Sequence, residues 1–233
     1  MSPDVPFRHF HEQLTTLNRR LLAMSEKAEA LVELSVDALL SQDAGKADAV
    51  IEADRELDTM ELEIEAAALE LLALQQPMAR DLRFIVTTIK VTSDLERVGD
   101  HAVNIAQAAQ RLISQRTNIT PDPEIEDMAR RARSMLSDAI DAFLRADGNL
   151  GREVCARDDQ VDALHESVFR ILLTHMMADA RTINPSLEYL LVSRNLERVA
   201  DLATNISEDA VFLAEGKNIK HSGEKAVRAA FNT

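Results

Sequence analysis

The chain has 233 residues, with 26 Lys and Arg against 40 Asp and Glu, a formal net charge of −14. Such a chain is repelled by phosphate backbones, so general nucleic-acid binding is not expected, and basic protein surfaces or cations are the partners it suits. Apolar content is 46% with only 3% aromatic residues, no Trp, six Gly and six Pro, a profile that selects long helices and argues against a β or collagen-like chain. The single cysteine, Cys155, permits no intrachain disulfide and fits a reducing compartment. No stretch approaches the ~20 apolar residues of a membrane span, and no basic start leads into an apolar run. A cytoplasmic protein is expected, one that meets a membrane only through a partner.

Taken in order, Pro3 and Pro6 mark a short lead-in. From Phe7 to about Gln42 the apolar positions Phe10, Leu14, Leu17, Leu21, Met24, Ala28, Leu31, Leu34 or Ser35, and Ala38 step by threes and fours, which predicts a helix with one seam facing other helices. A break at Gly45 leads to a second helix over about 47–75, with Val50, Leu57, Met60, Ile64, Ala67 and Leu71 inward. Gln76-Pro77 ends it, and a third helix runs from about Pro77 to Arg116. Residues 118–123 (Asn-Ile-Thr-Pro-Asp-Pro) are the strongest punctuation and the expected boundary between halves. A fourth helix follows over 123–146. Gly148 and Gly151 are read as a break before a fifth helix over 151–179, and Asn184-Pro185 starts a sixth that ends near Gly216. Residues 217–233, with Lys217, Lys220, Lys225 and Arg228 among small residues, read as a loose tail.

The chain contains one stretch twice. Asp94-Leu-Glu-Arg-Val-Gly-Asp-His-Ala-Val-Asn-Ile-Ala106 returns as Asn195-Leu-Glu-Arg-Val-Ala-Asp-Leu-Ala-Thr-Asn-Ile-Ser207, at a shift of 101. Asp37-Ala-Leu-Leu returns at Asp141, and Asp54-x-x-Leu57-Asp58 at Asp158-x-x-Val161-Asp162, at a shift of 104. The smaller shift places a shorter join between the last two helices, a change that loops absorb. The fold predicted is all-α: two tandem three-helix bundles related by internal duplication, over 7–116 and 123–216, packed about a pseudo-twofold axis.

Each copy sets Glu, Asp and Asn four residues apart, Glu96-Asp100-Asn104 and Glu197-Asp201-Asn205, so each lays three oxygen-bearing side chains along one helix face. The preceding helix of each half adds Asp54 and Asp58, or Asp158 and Asp162. If the two stripes meet, four carboxylates share a small volume, where each raises its neighbours' pKa unless a cation neutralises them. This points to a multinuclear site for Fe, Mn, Zn or Mg, with Asn104 and Asn205 as additional ligand candidates. The competing reading leaves the stripes on solvated faces, with Arg97 and Arg198 as local ion partners. Recurrence of the same acids where most surface residues around them differ favours the metal.

A ferritin-like oxidase needs Glu-x-x-His on each of two helices, and the chain offers only Asp162-x-x-His165, with Glu61 at the mate position. His165 and His101 are therefore read as ordinary half-buried or surface histidines. Cys155 has no acid-base partner in the sequence and reads as a packing residue, as do Met176 and Met177. Arg80 and Arg83 near a helix start oppose its dipole and mark a partner-docking edge. There is no Gly-rich phosphate loop and no Gly-x-Ser-x-Gly elbow, and no enzyme activity is expected. The readings held open beside a regulator are a di-metal carboxylate enzyme, phosphohydrolase or oxidase, and a metal-free helical adaptor.

Gln76-Pro77-Met-Ala-Arg80-Asp-Leu-Arg83, the two Leu-Glu-Arg-Val motifs, and the Asp54/Asp58 and Asp158/Asp162 pairs, in this order and spacing, resemble the PhoU family of phosphate-signalling regulators over about residues 8–216. The resemblance implies two tandem three-helix bundles, often in a homodimer, with multinuclear metal clusters on the duplicated acids. It further implies a cytoplasmic adaptor between the ATPase subunit of a phosphate ABC transporter and a PhoR-type sensor histidine kinase, a negative regulator of uptake and of the phosphate-starvation response. Carried over by position, the metal candidates are Glu96, Asp100, Asp54 and Asp58, and Glu197, Asp201, Asp158 and Asp162. The second half departs from the first in lacking an Ala-Arg-Asp-Leu-Arg equivalent and in carrying Leu202 where the first has His101.

Overall fold

The structure, a computed structural model, describes residues 4–115 and 123–220. Seven α-helices account for nearly all of them: α1 (Asp4–Ser41), α2 (Ala44–Gln75), α3 (Ala79–Ser114), α4 (Pro123–Arg145), α5 (Gly148–Cys155), α6 (Asp158–Ala178) and α7 (Ile183–Glu215), with one 3-10 turn at Ala180–Thr182. No strand occurs among the described residues. The expected linker over 118–123 and the end of the third predicted helix at Arg116 lie, apart from Pro123, outside them, as do residues 221–233 of the expected tail.

The first connection shows why the helices end where they do. Gln42 adopts a left-handed φ of 53°, and Asp43 then caps α2 by accepting from the backbone N–H groups of Gly45 and Lys46 at 2.9 and 3.3 Å. The fourth connection repeats this 104 residues later. Ala146 has φ 51°, and Asp147 accepts from the N–H groups of Asn149 and Leu150 at 3.0 and 3.1 Å. A left-handed non-glycine residue costs roughly 1–2 kcal/mol, and the aspartate cap recovers about that much by satisfying helix-end donors. The duplication therefore extends to backbone dihedrals. The break is at 42–43, with Gly45 inside the first turn of α2, since the capping aspartate rather than the glycine sets the boundary.

The predicted fifth helix is corrected. Gly148 opens α5 and Gly151 lies within it, and the helix divides instead at Ala156 and Arg157, before α6. Gly151 is a point of close approach: a Cβ there would stand 2.8 Å from the Ser207 carbonyl oxygen and 3.1 Å from Val211 Cγ2. The chain needs glycine for contact with α7, and contact is invisible to a reading of glycine as punctuation. The third helix starts at Ala79, two residues after Pro77, because Gln76 is left-handed and Met78 extended. Pro185 sits in the first turn of α7, where its missing N–H removes no helical bond.

The helices form two three-helix bundles, α1–α3 and α4 with α5/α6 and α7, joined along α3 and α7 and by a smaller contact of α1 with α4. Contacts between α3 and α7 run in opposite senses: the Arg83 guanidinium lies against Gly216, Lys90 against Asp209, His101 against Asn195, and Arg111 against Glu188. The two helices are thus antiparallel. Leu95, Val98, Ala102 and Ile105 of α3, and Leu196, Val199, Ala203 and Ile206 of α7, are fully buried. The predicted seam of α1 holds for Leu17, Leu21, Met24, Ala28, Leu31, Ser35 and Ala38, while Phe10, Leu14 and Leu34 are only partly covered. In α2, Val50, Leu57, Ile64 and Leu71 are buried, with Met60 and Ala67 at the margin.

The seam also encloses two acids. Asp209 is 2% exposed, with Lys90 at 3.6 Å and Lys220 at 3.8 Å, and Asp94 is 7% exposed with Arg97 at 3.7 Å. Burial pushes Asp94 up to about 6, although Lys220, Arg97 and Lys90 all pull it down. Lys220 lies beyond the end of α7, so the segment after that helix closes a charged gap between the bundles.

Replacing Gly151 by Ala puts a methyl group against the Ser207 backbone. A helical Gly→Ala change alone gains about 1 kcal/mol, but overpacking against a fixed carbonyl costs about 1–3 kcal/mol. Urea denaturation of Gly151→Ala should show a lower midpoint at unchanged slope.

Candidate metal centres

Each half brings its predicted acids together. In α2, Asp54 and Asp58 are one helical turn apart and face Glu96 and Asp100 of α3, themselves one turn apart. Gly99 allows the approach: a Cβ there would stand 2.4 Å from Leu57 Cδ2 and 2.7 Å from Asp54 Oδ1. The absence of a side chain at Gly99 seats the Asp54 carboxylate directly on the α3 backbone. In the second half Asp158 and Asp162 of α6 face Glu197 and Asp201 of α7, with Ala200 in place of Gly99.

The electrostatics of the two sets agree. Burial, then Asp58 and Asp100, push Asp54 up to about 6. Burial, then Asp100, Glu61, Asp58 and Asp54, push Glu96 up to about 7. Burial followed by Asp201 and Asp162 pushes Asp158 up to about 6, and burial followed by Glu197 and Asp201 raises Asp162. Asp158 Oδ1 is buried without a hydrogen bond of normal geometry; the Thr204 hydroxyl is close enough to pull the acid back slightly, yet Thr204 Oγ1 is unpaired as well. Asp201 accepts from Arg198 Nη1 at 2.7 Å. Among the described residues no three Asp, Glu, His or Cys side chains are close enough together to hold one metal ion.

Two further residues join the acids. Glu61, one turn after Asp58, is raised by burial and by Glu65 and Asp58, and Ser93 and Arg97 oppose the shift. His165, at the equivalent place one turn after Asp162, has Nε2 at 3.9 Å from Glu197 and Nδ1 at 3.1 Å from Ser193 Oγ. Their signal in the sequence is the i+3 step from Asp58 and Asp162 at the shared shift of 104. His165 is half-buried, one of the two places the sequence reading gave it, and stands beside the second acidic set. His101 donates from Nδ1 to Asn195 Oδ1 at 2.9 Å, across the two bundles. His101 and Arg97 of α3 border the same groove as Asp158, Asp201, Thr204 and Asn205, so the second set opens toward the first bundle.

The predicted extra ligands divide. Asn205 lines that groove, and Asn104 is exposed on α3. Arg80 is exposed, and Arg83 is half-buried at the end of α7, a favourable place for a cation beside a helix C-terminus. Cys155 packs 3.9 Å from the Thr204 carbonyl, and burial, with Glu208 and Asp158, pushes its thiol up to about 11, so it is unreactive. Carboxylates from two adjacent helices, joined in the second set by an imidazole, are the donor types of divalent cations of the Mg, Mn, Fe and Zn kind. A buried carboxylate oxygen without a partner, Asp158 Oδ1, fits the same chemistry.

An antiparallel pair of duplicated helical bundles with a carboxylate set in each defines a class, and the comparisons with known proteins assign it. The model of the PhoU domain matches residues 21–109 and 125–210. The chain belongs to the PhoU family. It is 39% identical over 211 residues to the phosphate-specific transport system accessory protein PhoU homolog of Clostridium acetobutylicum, covering 90% of this chain and 96% of that one. Against the Pseudomonas putida homolog it is 36% identical over 222 residues, with 95% and 87% covered. The crystal structure of PhoU from Pseudomonas aeruginosa superposes with a TM-score of 0.86 at 35% identity, over 89% of this chain and all of that one. The phosphate transport system regulatory protein PhoU from Streptococcus pneumoniae gives 0.84 at 29% identity, over 91% and 99%.

Because Asp54, Glu96 and Asp158 hold protons more tightly folded than unfolded, the metal-free chain takes up protons on folding near neutrality. Stability then falls as pH rises from the unfolded carboxylate range, about 4, through the folded values near 6 and 7. Chelator-treated protein should melt at a higher temperature at pH 5.5 than at pH 8 (roughly the two sides of that window), and Asp54→Asn/Asp158→Asn should flatten the difference.

Proposed function

We propose that this chain is an accessory protein of a phosphate-specific transport system: a cytoplasmic, metal-binding homodimer that restrains phosphate uptake and the starvation response when phosphate is plentiful. It acts by contact rather than by catalysis, bridging the transporter's ATPase subunit and a PhoR-type sensor histidine kinase. The observation that carries this reading is the pair of carboxylate sets at equivalent places on α2–α3 and α6–α7, in which burial and neighbouring carboxylates raise Asp54 and Glu96, and Asp158 and Asp162. Family membership and the names of the relatives supply the phosphate-transport context. No helix of the described residues is long and apolar enough to cross a membrane, which accords with a partner supplying the membrane contact.

Bound cations would neutralise the carboxylates and tie α2 to α3 and α6 to α7. The chain's own residues then fix the relation of the two helices in each hairpin, and with it the surface beyond the acids. That surface is apolar. Phe169, Leu173 and Met177 step by fours along α6, and Ile183, Leu187 and Leu191 step by fours along α7, all exposed. On α2 and α3, Leu62, Leu69, Leu82 and Val86 are exposed in the corresponding hairpin. Paired apolar stripes of this kind mark protein contact surfaces, and the neighbouring acids favour basic partners.

Elemental mass spectrometry of untagged protein, purified without chelator, should find at least one Fe, Mn, Zn or Mg ion per chain, lost in Asp100→Ala/Asp201→Ala. Chelator should lower the melting temperature of the wild type at pH 8 and leave the double variant unmoved. Finding no metal after growth and refolding with all four would remove the metal from the proposal and leave a metal-free adaptor. Phosphoester turnover by metal-loaded wild type, absent in Asp100→Ala, would replace the adaptor by an enzyme. Leu173→Glu/Leu187→Glu should abolish co-purification with the ATPase subunit or the kinase without changing metal content.

A further inference from the structure

The chain is strongly acidic, yet one cavity is lined by three arginines and no carboxylate. It lies between α4 and the start of α6, has a volume of about 250 Å³, and is lined by Arg130, Arg131, Ser134, Met135, Arg157 and Gln160. It lies on a different helix pair from the acidic groove bordered by Asp158, Asp201 and Asn205.

The arginines are oriented from behind. Asp127 accepts from both Arg130 and Arg131, the latter Nε at 3.1 Å, and Asp138 accepts from Arg157 Nη2 at 2.7 Å. Gln160 Oε1 accepts from Arg131 Nη1 at 2.6 Å, and Ser134 Oγ lies 3.5 Å from Arg157 Nη1. Arg157 Nε is buried and has no hydrogen-bond partner. A desolvated guanidinium donor without an acceptor is costly unless something completes it. Arg157 is also the residue from which α6 starts, and its side chain does not cap that helix, so the cavity gains the positive end of the α6 dipole.

The duplication supplies a comparison inside the same molecule. The positions 104 residues earlier, on α1 and α2, carry Glu26, Lys27, Ala30, Ala53 and Glu56 in place of Arg130, Arg131, Ser134, Arg157 and Gln160. There Lys27 and Glu56 close on one another as an ion pair. The acids that orient the arginines are also particular to the second half, with Ala23 and Leu34 standing where Asp127 and Asp138 stand. The helical scaffold therefore does not require arginine at these places. One copy is acidic and self-neutralised, and the other presents three guanidinium groups, their orienting carboxylates, a hydroxyl and an amide.

We propose that this cavity is a binding site for a small, multiply charged oxyanion of the phosphate class. Planar guanidinium forks match tetrahedral oxyanions in geometry and charge. Arg130 and Arg131 reach the anion from α4, Arg157 from the turn before α6, and the Ser134 hydroxyl and Gln160 amide complete the donor set. An anion held there clamps α4 to the α5–α6 turn on the outer side of the second bundle, which stiffens the end of α6 that carries Asp158. The inference is independent of the accessory role and of bound metal.

Isothermal titration of inorganic phosphate and of pyrophosphate tests it, on chelator-treated full-length protein at constant ionic strength, so that no metal-held anion contributes. Saturable binding of one anion per chain is expected, weakened at least tenfold in Arg131→Gln/Arg157→Gln and unchanged in Arg145→Gln, an exposed α4 arginine outside the cavity. Arg130→Glu/Gln160→Glu, which restores first-half residues, should likewise abolish binding while retaining the wild-type circular dichroism and melting transition. Absence of saturable binding for both anions overturns the proposal. So does equal weakening in Arg145→Gln, which marks diffuse charge attraction, or undiminished binding in a folded Arg130→Glu/Gln160→Glu protein.

Discussion

Close packing of α3 against α7 is the constraint on which the rest of the molecule depends. Each is the last long helix of its half, and each is covered on its remaining sides by its own bundle. Because the halves are copies, an antiparallel contact sets identical backbone positions symmetrically across one axis, near Val98 and Val199, both fully buried. Position along the seam determines everything lateral to it: α2 lies beside α3, α6 beside α7, and the carboxylate sets occupy those two grooves. A shift of one turn along α3 would carry Glu96 and Asp100 away from Asp54 and Asp58 together.

The grooves themselves are sites of tension. Burial and mutual repulsion both disfavour ionised Asp54, Glu96 and Asp158, so the apolar core and the helix caps must hold the acids where they would not otherwise stay. A fold that retains such an arrangement twice has a reason beyond stability, since apolar residues of similar size would pack at no such cost. The asymmetry of the copies is equally informative. Gly99 brings α2 onto α3 in the first half, whereas in the second half Gly151 brings α5 onto α7, and the helix that was continuous divides at Ala156–Arg157. His101 has no counterpart in Leu202, and it reaches across the seam to Asn195. The duplicated scaffold has thus carried different surfaces: an acidic α1–α2 flank, a basic α4–α6 cavity, and a charged closure at Asp94 and Asp209 made partly by Lys220 from beyond the repeat.

Helix identity, order and most of the core were legible in the sequence because they depend on period and composition. The steps of three and four that mark Leu17 to Ala38 are a property of one helix alone, and the repeated Leu-Glu-Arg-Val motif exposed the duplication without any knowledge of packing. The acids at steps of four were legible for the same reason, since stacking on one helix is local geometry. That the α2 acids meet the α3 acids followed from the sequence only as a condition. The tertiary structure decided it, together with the placing of Glu61 and His165 beside the acids, in the first half through Gly99, whose role is defined by the helix it touches. Gly45, Gly148 and Gly151 read as breaks because a sequence shows a glycine's freedom and hides its neighbours, while the true breaks were set by capping aspartates and left-handed Gln42 and Ala146. The arginine cavity was beyond sequence reasoning altogether: Arg157 lies far along the chain from Arg130 and Arg131 and each has an acid close by, so only the approach of α4 to the start of α6 makes them one site. The sequence by itself determined the helices, their duplication and the stripes they carry, because those are nearest-neighbour properties of a periodic backbone; which stripes face one another, and which charges share a cavity, belong to contacts between residues distant in the chain and were decided only by the packing.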